Sequence, residues 1–144
     1  MDNYENFYQQ TVLSKSIQAG LFAGILSTIV CLAYDFIFRS ITFFSLSPAM
    51  INVATIIFGS LLILLASGII YYLLFTYLKK AGEFLYMALF IILTLICVNA
   101  ALHFQRSADA HSSLQFRELF IGIIIITGLA TFVVPFFTRH KTVF

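Results

Sequence analysis

Apolar residues run almost unbroken through four stretches, about Ile17 to Phe38, Pro48 to Leu78, Phe84 to Phe104 and Phe116 to Thr138. Polar residues collect between them. A helix that crosses the hydrocarbon core of a bilayer needs about 20 apolar residues, and each stretch is that long. The runs are continuous, whereas membrane strands alternate apolar and polar positions over about ten residues. A helix also closes its backbone hydrogen bonds within its own segment, as lipid demands. The pattern therefore predicts one all-α membrane domain, a four-helix transmembrane bundle running up-down-up-down through short connections. Residues 1–16 are polar, with Tyr4, Phe7, Tyr8 and Val12 spaced to suit either a short interfacial helix or a cytoplasmic tail.

Local signals set the predicted boundaries. Ser47 before Pro48 reads as an N-cap and first helical residue, since the hydroxyl accepts an orphan N–H and proline has none to orphan. The second stretch, about 31 residues from Pro48 to Leu78, exceeds one bilayer thickness and should tilt or project. Lys79-Lys80-Ala81-Gly82 breaks it, and so short a turn makes a helical hairpin. Pro135 should kink or weaken the last turns of the fourth helix.

Composition agrees with that pattern. The 144 residues are 61% apolar and 10% charged, against about 45–50% and 25% in a soluble domain. Mean hydropathy is +1.01. A soluble enzyme, a nucleic-acid binder and a disordered chain are excluded, and the bilayer becomes the first partner. Seventeen Phe and seven Tyr accompany no Trp, with Tyr suited to the membrane interface. Cys31 and Cys97 lie inside apolar runs, where thiols act as small hydrophobes. Asp2 and Glu5 precede the first basic residue, Lys15, so the first apolar stretch reads as a retained anchor and not a cleavable signal. Lys15, Lys79, Lys80, Arg139 and Lys141 share one side against Arg39, Arg106 and Arg117 on the other. Five against three predicts that both termini are cytoplasmic.

Lipid gives helices no hydrophobic reason to associate, so small and polar residues mark their contacts. Ser16, Gly20, Gly24 and Thr28 recur every fourth residue in the first helix, beside Ala19 and Ala23. The second helix carries Thr55, Gly59, Ser60 and Ser67, and the fourth carries Gly122, Gly128 and Thr131. These faces suit packing within one bundle. A second reading of the first helix, with its G-x-x-x-G, is a homo-oligomer interface.

Ionisable groups are costly in lipid, about 2.5–3.5 kcal/mol each at the centre, so their placement is informative. Asp35 and Arg39 fall near the far end of the first helix, Asn52 at that end of the second, Asn99 and His103 at that end of the third, and Arg117 and Glu118 at that end of the fourth. The loop adds Arg106, Asp109 and His111. Three acids balance three bases there. Asp35 and Arg39 share a helix face, as do Asn99 and His103, and Arg106 can meet Asp109 if the loop is helical. One reading is a cap of ion pairs and hydrogen bonds that locks the outer end. The other is a small site of Asp35, Asn99, His103 and Glu118, closed by Asp109 and His111, able to relay a proton or hold a divalent ion. No H-x-x-x-H or E-x-x-H spacing supports a metal, and no cofactor is expected. G-x-S-x-G, H-E-x-x-H, a phosphate loop, an arginine ladder and a full-length polar stripe are all missing.

Three features together resemble a loose group of uncharacterised bacterial four-helix membrane proteins. These are Ala19-Gly20 and Ala23-Gly24 ahead of Tyr34-Asp35, a long second helix entered through Ser47-Pro48, and a histidine-bearing polar loop before a final small-residue helix. The resemblance implies this architecture in a bacterial inner membrane, and no activity. The leading expectation is a non-enzymatic accessory or interaction subunit that meets another membrane protein, or a second copy of itself, through its helices. The alternatives are a small oligomeric transporter or channel gated by the outer cluster, and a membrane metal or cofactor site using the outer histidines.

Overall fold

The computed structural model describes residues 12–42, 51–104 and 110–139, with the side chains of 110–112 and 139 left aside. Five helices follow in order: α1 (Val12–Thr42), α2 (Val53–Leu78), α3 (Lys80–Leu102), α4 (Ala110–Thr131) and α5 (Val133–Arg139). No strand occurs among the described residues. Four spans are long and apolar enough to cross a membrane: Val12–Thr42, Val53–Leu78, Lys80–Leu102 and Ser113–Thr138, the last formed by α4 and α5 together. The chain is a multi-pass integral membrane protein built as a helix bundle. The proposed interfacial segment, the Ser47-Pro48 cap and the Arg106–Asp109 pair lie outside the described residues.

Several boundaries differ from the pattern, each for a local reason. Helix α1 extends past Phe38 to Thr42, and along that extension Ser40 and Thr42 turn their hydroxyls back onto the Phe36 and Phe38 carbonyls at 2.8 and 2.7 Å. Helix α2 starts at Val53 and not at Pro48. Its cap is Asn52, whose side chain accepts from Thr55 N while the Thr55 hydroxyl accepts from Asn52 N, at 2.8 and 2.9 Å. This reciprocal capping box satisfies two orphan donors at once. Helix α4 begins at Ala110, ahead of the apolar run that starts at Phe116.

Helices α2 and α3 are joined by Lys79 alone, with φ 52° and ψ −124°. This left-handed backbone is costly for a residue with a Cβ. The turn is held by Lys79 N to Phe75 O at 2.9 Å and Gly82 N to Lys79 O at 3.1 Å. Gly82 is required just beyond it, since a Cβ there would collide with the Leu74 carbonyl. Buried Glu83 places a negative charge in the first turn of α3, where the helix dipole favours it.

Helix α1 packs on α2 and α4, and α3 packs on the same two, so α1 and α3 occupy opposite corners. The seam between α1 and α2 is the tightest. A Cβ on Gly20 would stand 2.6 Å from the Leu64 carbonyl oxygen, and one on Gly68 would stand 2.5 Å from that of Ser16. Gly24 meets Leu61. The partners Ser16–Gly68, Gly20–Leu64 and Gly24–Leu61 fall in opposite order along the two helices. One core, around Ala23, Leu64, Tyr71, Tyr86 and Phe90, fills the end near the Lys79 turn; a second, around Cys31, Ile56, Phe116 and Leu119, fills the other end.

Proline 135 breaks the fourth span. It has no N–H to offer the carbonyl four residues back, at Thr131, and its ring crowds that carbonyl. The chain turns at Phe132, whose N–H bonds Leu129 O at 3.1 Å, and resumes as α5. The stranded Thr131 carbonyl is met from α3: the hydroxyl of fully buried Tyr86 donates to it at 3.0 Å. Tyr86 is in turn wedged between Tyr71, edge-on with ring centroids 5.3 Å apart, and Phe90 at 4.6 Å.

Tyr86→Phe should therefore cost about 1–3 kcal/mol in chemical unfolding in micelles, the usual loss for a buried group left unpaired. Pro135→Ala restores the N–H, so the double variant should lose less than Tyr86→Phe alone. Lys79→Gly should raise stability by about 1 kcal/mol, because glycine adopts positive φ without strain.

Candidate functional site

The polar residues at the end of the bundle away from the Lys79 turn fall into two groups. In the first, Asp35 and Arg39 stand four apart on α1, and Arg39 Nε donates to Asp35 Oδ1 at 2.8 Å. Arg39 Nη2 also donates to the Ile51 carbonyl at 2.9 Å. Ile51 precedes the capping residue Asn52, so the arginine ties the end of α1 to the start of α2. Asp35 is buried, its side chain 11% exposed. It lies deeper than the sequence implied: α1 ends at Thr42, which puts Asp35 about two turns, roughly 10 Å, from the helix end and not one turn. A depth of this kind is tolerable for a carboxylate only with a partner, which Arg39 supplies. A shallow cleft of about 430 Å³ flanks the pair between Leu32, Phe36 and Val53.

The second group lies on α3 and α4. His103 is exposed and donates from Nδ1 to the Asn99 carbonyl at 2.8 Å, closing the end of α3. Arg117 Nη1 donates to the Leu102 carbonyl at 2.7 Å. Gln115 Nε2 reaches the Thr42 carbonyl at 3.2 Å. The Tyr34 hydroxyl donates to the Glu118 carbonyl at 3.3 Å. Asn99 and Glu118 are themselves exposed. The candidate cluster is therefore divided. Asp35, Arg39 and Asn52 assemble where α1 meets α2; Asn99 and His103 sit at the end of α3, on the opposite corner from α1; Glu118 faces outward. Asp109 and the His111 side chain lie outside the described residues. Among the described residues, no three of His, Cys, Asp and Glu come together as a metal would need.

One chemical task recurs in this arrangement. Arg39, Gln115 and Arg117 each donate to a main-chain carbonyl at or beside a helix end, two of them the last residues of α1 and α3. The Thr42 and Leu102 carbonyls are of the kind a helix C-terminus leaves without a partner, while the Ile51 carbonyl lies just ahead of α2. Sequence spacing indicated the Asp35–Arg39 contact but gave no sign of the carbonyls, because those contacts join residues 12 to 73 positions apart.

The small residues meet named neighbours. Gly20 and Gly24 face α2, Ser60 and Ser67 are buried, Gly122 lies against the Tyr34 ring and Gly128 against Thr94. Thr28 bonds the Gly24 carbonyl at 2.8 Å. Gly59 is a correction: nothing lies within 4 Å of the Cβ it lacks, so it packs against no helix. It faces a lateral cleft of about 530 Å³ between α2, α3 and α4. Gly68, pressed on the Ser16 carbonyl, was absent from the sequence reading, although it follows Ser67 directly on α2; Gly82, read there only as part of the turn, presses on the Leu74 carbonyl.

No family model, no curated protein and no solved structure matches the chain.

Asp35→Leu should strand the Arg39 guanidinium and lower stability by about 2 kcal/mol, less than a fully buried pair because Arg39 keeps some exposure. Adding Arg39→Met should recover part of the loss, as measured by unfolding of both variants in the same detergent.

Proposed function

We propose that this chain is a non-enzymatic accessory subunit of a bacterial inner-membrane complex, with both termini cytoplasmic and its four spans running up-down-up-down, which docks a partner through the outward face of α3. One observation carries the proposal. Leu85, Leu89, Ile92, Ile96, Asn99 and His103 follow one another at alternating steps of four and three, and every one of them is exposed. That spacing keeps one seam facing a neighbouring helix. The seam's last two members are Asn99 and His103, polar side chains of the kind that join helices in lipid.

Helix α3 is also the least covered of the four spans, with 17% of its apolar window buried against 28% for each of the others. The polar chemistry elsewhere supports the same reading. Eight Ser and Thr hydroxyls bond carbonyls of their own helix, Ser16, Thr28, Ser40, Thr42, Ser67, Thr94, Thr131 and Thr138. Such hydroxyls offer little to a passing ion or a substrate. Arg39 and Arg117 hold carbonyls. What the molecule presents to others is intramembrane surface, and either another membrane protein or a second copy of this chain fits that surface.

A photoreactive residue at Ile92 should give a discrete cross-linked product with another chain in the native membrane. Asn99→Leu combined with Ile96→Ala should reduce that product several-fold while the helical circular dichroism stays unchanged. If the probe at Ile92 yields lipid adducts alone, the proposal fails.

A further inference from the structure

We infer that the tip of the α2–α3 hairpin docks on anionic phospholipid headgroups. Lys79 and Lys80 meet the lipid phosphates, and the rings of Tyr77 and Phe84 lie in the bilayer interface beside them. The surface is separate from the outward seam of α3 and does not rest on a partner binding there.

The two ends of the bundle use their cations differently. Away from the turn, Arg39 holds Asp35 and the Ile51 carbonyl, and Arg117 holds the Leu102 carbonyl. At the turn, Lys79 and Lys80 are both exposed, and among the described residues neither ammonium group has a protein partner. The acid nearest in sequence, Glu83, is buried in the first turn of α3. Two adjacent like charges repel, so nothing within the hairpin favours setting them side by side. An anion outside it does.

The backbone points the same way. Among the described residues, Lys79 is the one non-glycine with a positive φ, 52°. Glycine would adopt that conformation without strain. The turn's hydrogen bonds use only the main chain of Lys79, its N–H to Phe75 O and its carbonyl from Gly82 N. The fold therefore gains nothing from a lysine side chain here and bears its strain. Strain held at a single residue is a sign of a role outside folding, and what lysine adds at this point is a charge at the turn of the hairpin.

Length and neighbours choose the source of the anion. The 26 residues of α2 span about 39 Å at 1.5 Å each. That exceeds the hydrocarbon core, about 30 Å, and falls just short of the 40–45 Å or so that includes the headgroups. A helix centred in the bilayer therefore ends among the headgroups, where the phosphates are. Tyr77 and Phe84 flank the turn and are 80% and 77% exposed. Phe84 stands four residues after Lys80, on the same helix face. Tyrosine suits the membrane interface, and a phenylalanine ring gains from the acyl region just below. A soluble acidic protein or a free phosphate ion would meet the lysines and leave both rings in water. The N-terminus of α3 supplies no anion site of its own, because Glu83 already sits at that end of the helix dipole.

The chain has no Trp, so Tyr77→Trp installs a single fluorophore beside the turn and keeps an interfacial ring there. The full chain is reconstituted in phosphatidylcholine vesicles and titrated with phosphatidylglycerol or phosphatidylcholine brominated near the glycerol. Quenching reads which lipid occupies the tip. Phosphatidylglycerol should be preferred about fivefold or more, and the preference should collapse in about 1 M salt, where screening acts within about 3 Å. Lys79→Gly should reduce the preference several-fold without lowering the melting temperature, so that binding falls while folding does not. Lys79→Arg should keep it. Should Lys79→Gly misfold, Lys79→Gln with Lys80→Gln should remove the preference. Val53→Trp, the reporter at the other end of α2 in a chain that retains Tyr77, should show none. A preference that survives the loss of both lysines, or an equal one at Val53, would overturn the assignment. So would displacement of the lipid by millimolar inorganic phosphate at constant ionic strength, or Tyr77→Trp emission that responds to soluble polyglutamate and not to phosphatidylglycerol.

Discussion

Inside a bilayer a main-chain carbonyl without a donor has no water to turn to, and this constraint organises the molecule. Pro135 creates one such carbonyl in the middle of a span, at Thr131. The repair comes from another helix, through a tyrosine hydroxyl that must be buried to reach it. That need buries Tyr86 in the core near the Lys79 turn, and its ring packs there against Tyr71 and Phe90. The same logic governs the end of the bundle away from the Lys79 turn, where Gln115 and Arg117 reach the last carbonyls of α1 and α3, and Arg39 reaches the Ile51 carbonyl ahead of α2. Charges that look like candidate chemistry when read along the chain are tied to backbone in three dimensions.

Close approach is the second organising feature, and it depends on the first. Once backbone groups are satisfied within each helix, helices can meet backbone to backbone. Gly20 and Gly68 permit this between α1 and α2, and Gly82 permits it beside the Lys79 turn. Because α2 is committed to α1, and α3 to α4 beyond its first turns, the two hairpin helices part company. The lateral cleft at Gly59 is the geometric consequence, and the bare outer face of α3 is another.

Much of the fold was legible along the chain. Four unbroken apolar stretches mark the spans, the Lys79–Gly82 break marks the hairpin, and the four-residue spacing of Ser16, Gly20 and Gly24 marks a contact face. The errors were at ends. Asn52, not Ser47, caps α2, because its side chain and that of Thr55 satisfy each other's backbone. Asp35 lies a turn farther from the helix end than expected because α1 continues past Phe38 to Thr42. Gly59 looked like its small neighbours but faces the cleft, since composition does not say which side of a helix has a partner.

The sequence by itself determined the solvent, the number of spans and the local pairing of Asp35 with Arg39, because hydropathy, length and four-residue spacing are properties of a segment. It could not decide which polar groups stand together. Asp35 and His103 both belong to the same end, yet they sit on opposite corners, while Tyr86 and Thr131 meet across 45 residues. Those relations depend on the order of helices around the bundle and on the rotation of each about its axis. Packing of glycine against carbonyl sets both, and it exists only once the helices have come together.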